Sequence, residues 1–174
     1  FQYPENYKWV SDKPWMFRKS FEISPELIDS DNIVLVFEGL DTVATIWLNE
    51  KQIAKTNNMF MPFRFDVTKQ FKQGTNTLLV KFDPAEHYAK KLYHRYNRSK
   101  KTNALSHHKA YIRKAHYQFG SDFSPSLPGC GIIRPVKIES AAKAKIDELQ
   151  VRTIECNEKY ADIKVAIKIK NYQK

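Results

Sequence analysis

The sequence predicts an all-β protein built as a sandwich or jelly roll, with one short helix. Three observations lead to this fold class. Short apolar or alternating segments recur between residues 15 and 83, turn-forming residues separate them, and similar segments return after residue 131. Strands of this length and spacing are typical of sandwiches and jelly rolls, whereas βαβ units would alternate strands with helices.

The composition is that of a folded domain. The chain has 174 residues, of which 42% are hydrophobic and 13% aromatic, so it can form a core and is too apolar to be disordered. No apolar run reaches the roughly 18 residues of a membrane-spanning helix. The only cysteines, Cys130 and Cys156, define neither a disulfide framework nor a metal cluster.

The first half of the chain carries the clearest strand patterns. Apolar residues alternate with polar ones or form short buried runs, and residues 49–51 and 73–76 have the composition of turns. The predicted strands cover residues 17–23, 33–37, 42–48, 63–67 and 78–82.

A short helix and a long loop are predicted next. Asp83 and Pro84 are typical of a helix start, with aspartate as the N-cap and proline at the first helical position. We therefore expect a helix over residues 85–96. Residues 97–112 are polar and basic without clear periodicity, which indicates a long loop.

Strand patterns return in the last third of the chain. Residues 131–138 predict one strand, in which Pro135 indicates a sheet edge or a bulge. Residues 146–174 contain two alternating segments around a turn at 157–160, and an isolated hairpin is marginally stable at best. We therefore expect a jelly-roll domain over 1–140, a linker over 141–145, and the first strands of a truncated second sandwich over 146–174.

The positive charge of the chain is concentrated in one segment. The net charge is +10, and residues 86–116 alone carry nine basic residues and one acidic residue, together with all five histidines. One basic segment indicates a solvated excursion or a contact with an acidic partner, and it is weak evidence for nucleic-acid binding. The histidine spacings fit no zinc pattern, so we expect no metal and no cofactor.

Four stretches of the chain carry recognisable motifs in a fixed order. They are residues 15–21 (WMFRKSF), 35–49 (LVFEGLDTVATIWLN), 57–68 (NNMFMPFRFDVT), and 112–125 (IRKAHYQFGSDFSP) followed by 131–136 (GIIRPV). Taken together they resemble the N-terminal region of β-mannosidases of glycoside hydrolase family 2. The resemblance spans residues 15–140, which is most of the chain.

The resemblance implies an architecture. The N-terminal domain of this family is a galactose-binding-like jelly roll, followed by an immunoglobulin-like sandwich and a (β/α)₈ barrel. The barrel carries the two glutamates of a retaining glycosidase. It needs about 250 residues, so we expect this chain to be a fragment without catalytic residues and inactive alone. The resemblance also implies a periplasmic, secreted or lysosomal location.

The same resemblance assigns candidate sugar-binding residues. The family motif G-W-D-W-G-P aligns with residues 120–125, on a loop that reaches over the barrel mouth. Asp122 would accept hydrogen bonds from sugar hydroxyls, while Ser121 and Phe123 replace the tryptophans that wall the sugar ring. Arg113 is a candidate contact to Asp122 or to the barrel. From the residues alone, a turn aspartate is the favoured interpretation of Asp122. Lys114 could make the same contacts as Arg113, and the alternative for both residues is a solvated basic face.

Two further side chains are open to a chemical interpretation. Glu38 and Asp41 could suggest acid–base work, but capping or turn hydrogen bonds are the expected role at a strand end. The leading hypothesis is thus a non-catalytic piece of an exo-glycosidase acting on terminal β-linked mannose. The alternatives are a free-standing carbohydrate-binding module and a piece of a related family 2 glycosidase with another sugar specificity. No nucleic acid and no membrane is expected as a partner.

Overall fold

A computed structural model describes residues 4–96, 107–121 and 124–172, most of which form strands. The helices are α1 (Lys8–Asp12), α2 (Pro25–Ile28) and α3 (Ala85–Tyr96), with 3₁₀ segments at Pro4–Tyr7, His107–Tyr111 and His116–Gln118. The strands are β1 (Trp15–Ile23), β2 (Asn32–Phe37), β3 (Leu40–Asp41), β4 (Val43–Leu48), β5 (Lys51–Asn57), β6 (Phe63–Asp66), β7 (Gly74–Phe82), β8 (Phe119–Ser121), β9 (Ser124–Ser126), β10 (Gly131–Ile132), β11 (Val136–Ala141), β12 (Ala144–Cys156) and β13 (Ala161–Asn171).

Two antiparallel sheets enclose the main core. One has the strand order β1-β7-β4-β5 and the other the order β11-β2-β6, while β3 and β10 form a short separate pair. The predicted all-β class is confirmed, and so is the helix over 85–96. None of the helices in the described ranges is both long and apolar enough to cross a bilayer.

The core explains why β2 and β7 have different sequence patterns. All six residues of β2 are buried, which suits its continuous apolar run in the middle of its sheet. In β7 every second residue from Asn76 to Phe82 is buried, which suits its strict alternation. Burial of one such large apolar side chain stabilises the fold by about 1.5–3 kcal/mol. The buried side chains of the cluster are those of Ile33, Leu35, Phe37, Leu40, Ala44, Ile46, Leu48, Val67, Phe71, Leu78, Val80 and Phe82.

The structure corrects the single strand predicted over residues 131–138. The segment is divided into β10 and β11, and Pro135 lies between them with its carbonyl accepting a hydrogen bond from the Glu38 amide at 3.1 Å. Proline has no N–H to donate to a strand ladder, so the pairing stops there. β11, which begins directly after Pro135, is one of the two edge strands of its sheet, and a sheet edge is one of the two positions that this proline indicated.

The predicted loop over 97–112 is also partly corrected. Residues 107–111 form a 3₁₀ segment, and Tyr111 contacts α3 through ring stacking with Tyr96 and an edge-on contact with Tyr93. Residues 97–106 lie outside the described ranges.

The C-terminal hairpin is present, and one of its faces is apolar and exposed. Cross-strand pairs such as Leu149–Ile167 and Val151–Val165 place apolar side chains on the same face. The apolar residues at 146, 149, 151, 163, 165, 167 and 169 are 53% to 65% exposed. β11 ends at Ala141 and β12 begins at Ala144, so only two residues separate the strands across the predicted linker. The division into two domains stays a prediction.

Asn76 is a buried polar residue whose amide group is fully used. Its Oδ1 accepts hydrogen bonds from Asn49 Nδ2 at 2.7 Å and from the Lys72 amide at 3.1 Å. Its Nδ2 donates to the carbonyls of Lys72 at 2.8 Å and Gly74 at 2.9 Å. The side chain therefore ties the turn before β7 to the turn after β4.

We expect Asn76→Ala to lower the free energy of unfolding by about 2–3 kcal/mol, because it leaves the partly buried backbone groups of Lys72 and Gly74 and the Asn49 amide without this partner. Urea denaturation followed by circular dichroism would measure this loss. Thr75→Ala, at an exposed position of the same strand, is the matched control and should cost under about 0.5 kcal/mol. Equal losses in the two variants would contradict the assignment.

Candidate functional site

The candidate site is built on residues 107–133, which follow α3 and lead back to the sandwich at β10. Ile112 is buried in a small second core with Val43, Ala85 and Ala89. Phe119 packs on this cluster and makes an edge-on contact with His108 at 6.0 Å between ring centroids. This packing makes Phe119 a core residue of the segment and not the wall of an open pocket.

Arg113 lies where two of the sequence motifs meet. Its backbone pairs with Asn58 in an isolated parallel bridge, and its carbonyl accepts a hydrogen bond from the Met59 amide at 3.0 Å. The Ala115 amide donates to Met59 Sδ at 3.0 Å. The Arg113 side chain is exposed, and it borders a cleft of about 540 Å³ together with the exposed ring of Phe60.

Lys114, next along the chain, is buried. Its Nζ donates to Asp41 Oδ1 at 2.5 Å and to the Gly129 carbonyl at 2.8 Å, and the two charged side chains are 0% and 6% exposed. Gln118 Nε2 donates to the other Asp41 oxygen at 3.2 Å, and Thr42 Oγ1 donates to Oδ1. Burial lowers the pKa of the Lys114 ammonium, and the neighbouring Asp41 carboxylate only partly offsets this effect.

This ion pair corrects two expectations drawn from the sequence. Lys114 does not lie on a solvated basic face, and Asp41 has a buried charged partner in addition to its contact with the adjacent Thr42 hydroxyl. Glu38, the other carboxylate at the end of β2, forms an ion pair with Lys137. Asp41 and Lys114 both stand out in the sequence, but their contact does not, because the two residues are 73 positions apart.

A small hairpin carries the predicted sugar-binding positions. β8 and β9 pair at Phe119–Ser126 and at Ser121–Ser124, and the Leu127 amide donates to the Gln118 carbonyl at 3.1 Å. Gly120 has φ of +81°, a left-handed conformation that glycine adopts at little cost. Ser121 is the last residue of β8, and only its backbone is described. Asp122 and Phe123 lie outside the described residues, so their assignment stays a prediction.

The described residues of this region do not group into a metal site. In the ranges 4–96, 107–121 and 124–172, no three His, Cys, Asp or Glu side chains are grouped so that they could hold a metal ion. Cys130 and Cys156 are free thiols, and burial raises the pKa of Cys130. Part of the basic segment is neutralised internally, since Glu86 lies 2.6 Å from Lys90 and 3.8 Å from His108.

A second cleft opens between the edge strands β1 and β11. It measures about 580 Å³, and its walls are mostly apolar, with Phe17, Phe21 and Ile138 among them. Sugar recognition needs several polar groups that converge on hydroxyls beside an apolar wall. This cleft offers Arg18 and Lys19 as its charged side chains and is therefore a poor match for a sugar.

The two antiparallel sheets that enclose one apolar core define this domain as a β-sandwich. The chain belongs to the family described as "Glycosyl hydrolase 2 galactose-binding domain-like", whose sequence profile matches residues 2–134. The resemblance drawn from the sequence motifs is therefore confirmed at the level of the family.

The curated relatives include proteins named β-mannosidases. The chain is 37% identical over 147 residues to Beta-mannosidase B of Aspergillus oryzae, covering 82% of this chain and 17% of that protein. It is 35% identical over 151 residues to Beta-mannosidase of Mus musculus, covering 83% and 17%. The chain thus spans about a sixth of the length of these relatives.

Solved structures give the same family relation. The crystal structure of Beta-D-Mannosidase from Dictyoglomus thermophilum superimposes with a TM-score of 0.87 at 30% identity, over 97% of this chain and 20% of that one. A Beta-glucuronidase of an uncultured Clostridium sp. superimposes with a TM-score of 0.62 at 23% identity, over 90% and 24%. The second likeness concerns the fold alone.

Proposed function

We propose that this chain is the N-terminal, non-catalytic domain of a β-mannosidase-like exo-glycosidase that hydrolyses terminal β-linked mannose. The observation that carries the proposal is the TM-score of 0.87 to a β-mannosidase, with strands matched across 97% of the chain. The identities of 35% and 37% to proteins named β-mannosidases support the same sugar. The barrel and its two glutamates would lie elsewhere in the longer protein.

In this proposal the domain lends one loop to the substrate pocket. The Asp122 carboxylate accepts hydrogen bonds from hydroxyls of the terminal sugar, and the Phe123 ring gives the sugar an apolar wall. Ser121, at the end of β8, borders the same position. The exposed Arg113 side chain is available to contact Asp122 or an acidic group of the barrel.

The loss of the two tryptophans expected around Asp122 bears on specificity. Serine at 121 and phenylalanine at 123 are smaller than indole, so the pocket would have more space beside the sugar ring. A family 2 glycosidase acting on a larger or differently configured sugar is therefore the second candidate function. A panel of aryl β-glycosides separates the two.

The C-terminal hairpin supports the expectation of a multidomain protein. Its apolar face is more than half exposed, and soluble proteins rarely leave a large contiguous apolar patch uncovered. We propose that β12 and β13 are the first strands of an immunoglobulin-like sandwich, whose remaining strands cover this face. The catalytic barrel would be the other partner of the chain.

We also propose a periplasmic, secreted or lysosomal location for the longer protein, because its family acts on glycans. Fractionation of the source cells with an antibody against this domain tests the location, and a cytosolic pool alone would contradict it.

The test of the function uses the full-length protein. We expect turnover of aryl β-mannosides, and a drop of about 10- to 100-fold in kcat/KM for Asp122→Ala, because a hydrogen bond to a charged group contributes about 1.5–3 kcal/mol. Asp29→Ala, at an exposed position beside α2, is the control and should leave kcat/KM unchanged.

Three results would contradict parts of this proposal. Activity only on another β-glycoside would exclude mannose, and an unchanged kcat/KM in Asp122→Ala would exclude the role of the loop. Saturable binding of mannose or galactose to the 174-residue chain alone, measured by calorimetry, would favour a free-standing carbohydrate-binding module.

A further inference from the structure

We propose that Asp41 and Lys114 are positioning residues that hold hairpin β8–β9 in one orientation on the sandwich. The inference rests on the proposed function, in which this hairpin presents the sugar-contacting loop. It adds two residues that do not contact the sugar themselves and act on the sugar site through the hairpin.

The ion pair closes the base of the segment that carries the hairpin. Lys114 stands at the start of this segment, and its ammonium binds the carbonyl of Gly129 at the end, 15 residues later, at 2.8 Å. Asp41 belongs to β3, which pairs with β10 through Asp41–Gly131, so the carboxylate is fixed to the sandwich itself. The Lys114 ammonium therefore ties the start and the end of the segment to Asp41 on the sandwich.

Gln118 extends this attachment toward the hairpin. Its side chain donates to Asp41 Oδ2 at 3.2 Å, while its carbonyl accepts from the Leu127 amide at 3.1 Å. The residue after it, Phe119, begins β8 and packs on the small core around Ile112. A continuous series of contacts thus runs from Asp41 through Gln118 to both strands of the hairpin.

A buried ion pair contributes little net stability to a fold, because both charges lose their water. Stability alone therefore does not explain the presence of the Asp41–Lys114 pair. Removing two charges from water is expensive, and an apolar pair of similar size is often as stable or more stable. The lowered pKa of Lys114 shows that Asp41 does not fully offset this desolvation. Hydrogen bonds between charged groups restrict the geometry of the atoms they join, whereas contacts in an apolar pair are not directional.

The exposed pair of Arg64 and Glu139 provides a comparison. Both side chains are 46% exposed, and they join β6 to β11 across β2 on the surface of the sandwich. Pairs of this kind contribute little to stability. Neutralising this pair should therefore leave the hairpin as it was, which makes Arg64→Met/Glu139→Gln a matched control.

The first experiment measures hydrogen exchange in the 174-residue chain carrying Asp41→Asn/Lys114→Met. This double variant removes both charges together and avoids a lone buried charge. We expect exchange of the Leu127 amide to accelerate by about 10- to 100-fold, while the Leu35 amide in the core exchanges as before. The control double variant should change neither amide.

Either of two results would overturn the proposal. Unchanged exchange at Leu127 would show that the pair does not hold the hairpin. Equal acceleration at Leu127 and Leu35 would show that the pair only stabilises the whole fold.

The second experiment measures kinetics of the full-length protein on aryl β-mannosides. We expect the double variant to raise KM by about tenfold or more with a smaller change in kcat, since the barrel is intact and the loop is misplaced. Faster exchange at Leu127 with an unchanged KM would support the conclusion that the ion pair holds the hairpin. It would overturn the role of the ion pair at the sugar site. In that case Asp122→Ala would show whether the loop contacts sugar at all.

Discussion

Replacing Lys114 alone with methionine is expected to lower the free energy of unfolding by about 3–5 kcal/mol. The variant leaves the Asp41 carboxylate buried, with the hydroxyl of Thr42 and the amide of Gln118 as its remaining donors. An unpaired buried charge is far more costly than an absent pair, because it loses its water and gains no compensating partner. Urea denaturation of the 174-residue chain, followed by circular dichroism, measures the loss.

Two further variants make this result specific to the buried pair. Adding Asp41→Asn to Lys114→Met should recover most of the loss and leave the double variant within about 1 kcal/mol of the parent chain. Lys137→Met removes the exposed partner of Glu38 and should cost less than about 1 kcal/mol. A double variant as unstable as Lys114→Met would mean that packing around the lysine stem, and not the charge, is what matters.

Phe82→Ala is expected to cost about 3–5 kcal/mol, because it opens a cavity in the main core. Phe82 is 0% exposed, pairs with Trp15 on one side and Ala44 on the other, and its ring meets the edge of Phe17 at 5.6 Å. It thus lies in the central strand β7, where little can move to fill the space.

Phe17→Ala is the matched control for this core variant. The Phe17 ring is 42% exposed at the mouth of the cleft between β1 and β11, so less apolar area is returned to water. We expect it to cost less than half of the loss seen in Phe82→Ala, with thermal unfolding as an independent measurement. Equal losses would show that the two rings stabilise the core as one unit.

Much of the sandwich could be predicted from its sequence because burial leaves a periodic pattern. β2 and β7 have the clearest patterns, and each matches the burial of its strand, which is continuous in β2 and alternating in β7. β5 was missed, since it lies at a sheet edge and only Thr56 is buried, so no alternation distinguishes it from a loop. The break between β10 and β11 was missed because Pro135 was taken to indicate a sheet edge or a bulge within one strand, and not the end of the pairing.

The site could be predicted only in part, for a different reason. Asp122 became a candidate only through the resemblance to a family. The residues themselves, Ser121-Asp122 and Ser124-Pro125, also suit a turn. The Asp41–Lys114 pair depends on the return of the chain to β3 after residue 130. The two residues are 73 positions apart, and no local sequence pattern predicts a contact over that separation. Two charged residues, one within each of two separate motifs, were its only trace in the sequence.

The pairing of β10 with β3 has a consequence for how such a domain can diversify. The chain leaves the sandwich after β7 and returns beside β3, at the point where Lys114 and Gly129 already meet. Strands β8 and β9 form a two-stranded sheet of their own, apart from the two main sheets, so substitutions in them, other than at Phe119, which packs on the small core, leave the sandwich sheets as they are. Selection can therefore alter the hairpin and preserve the sandwich independently of each other.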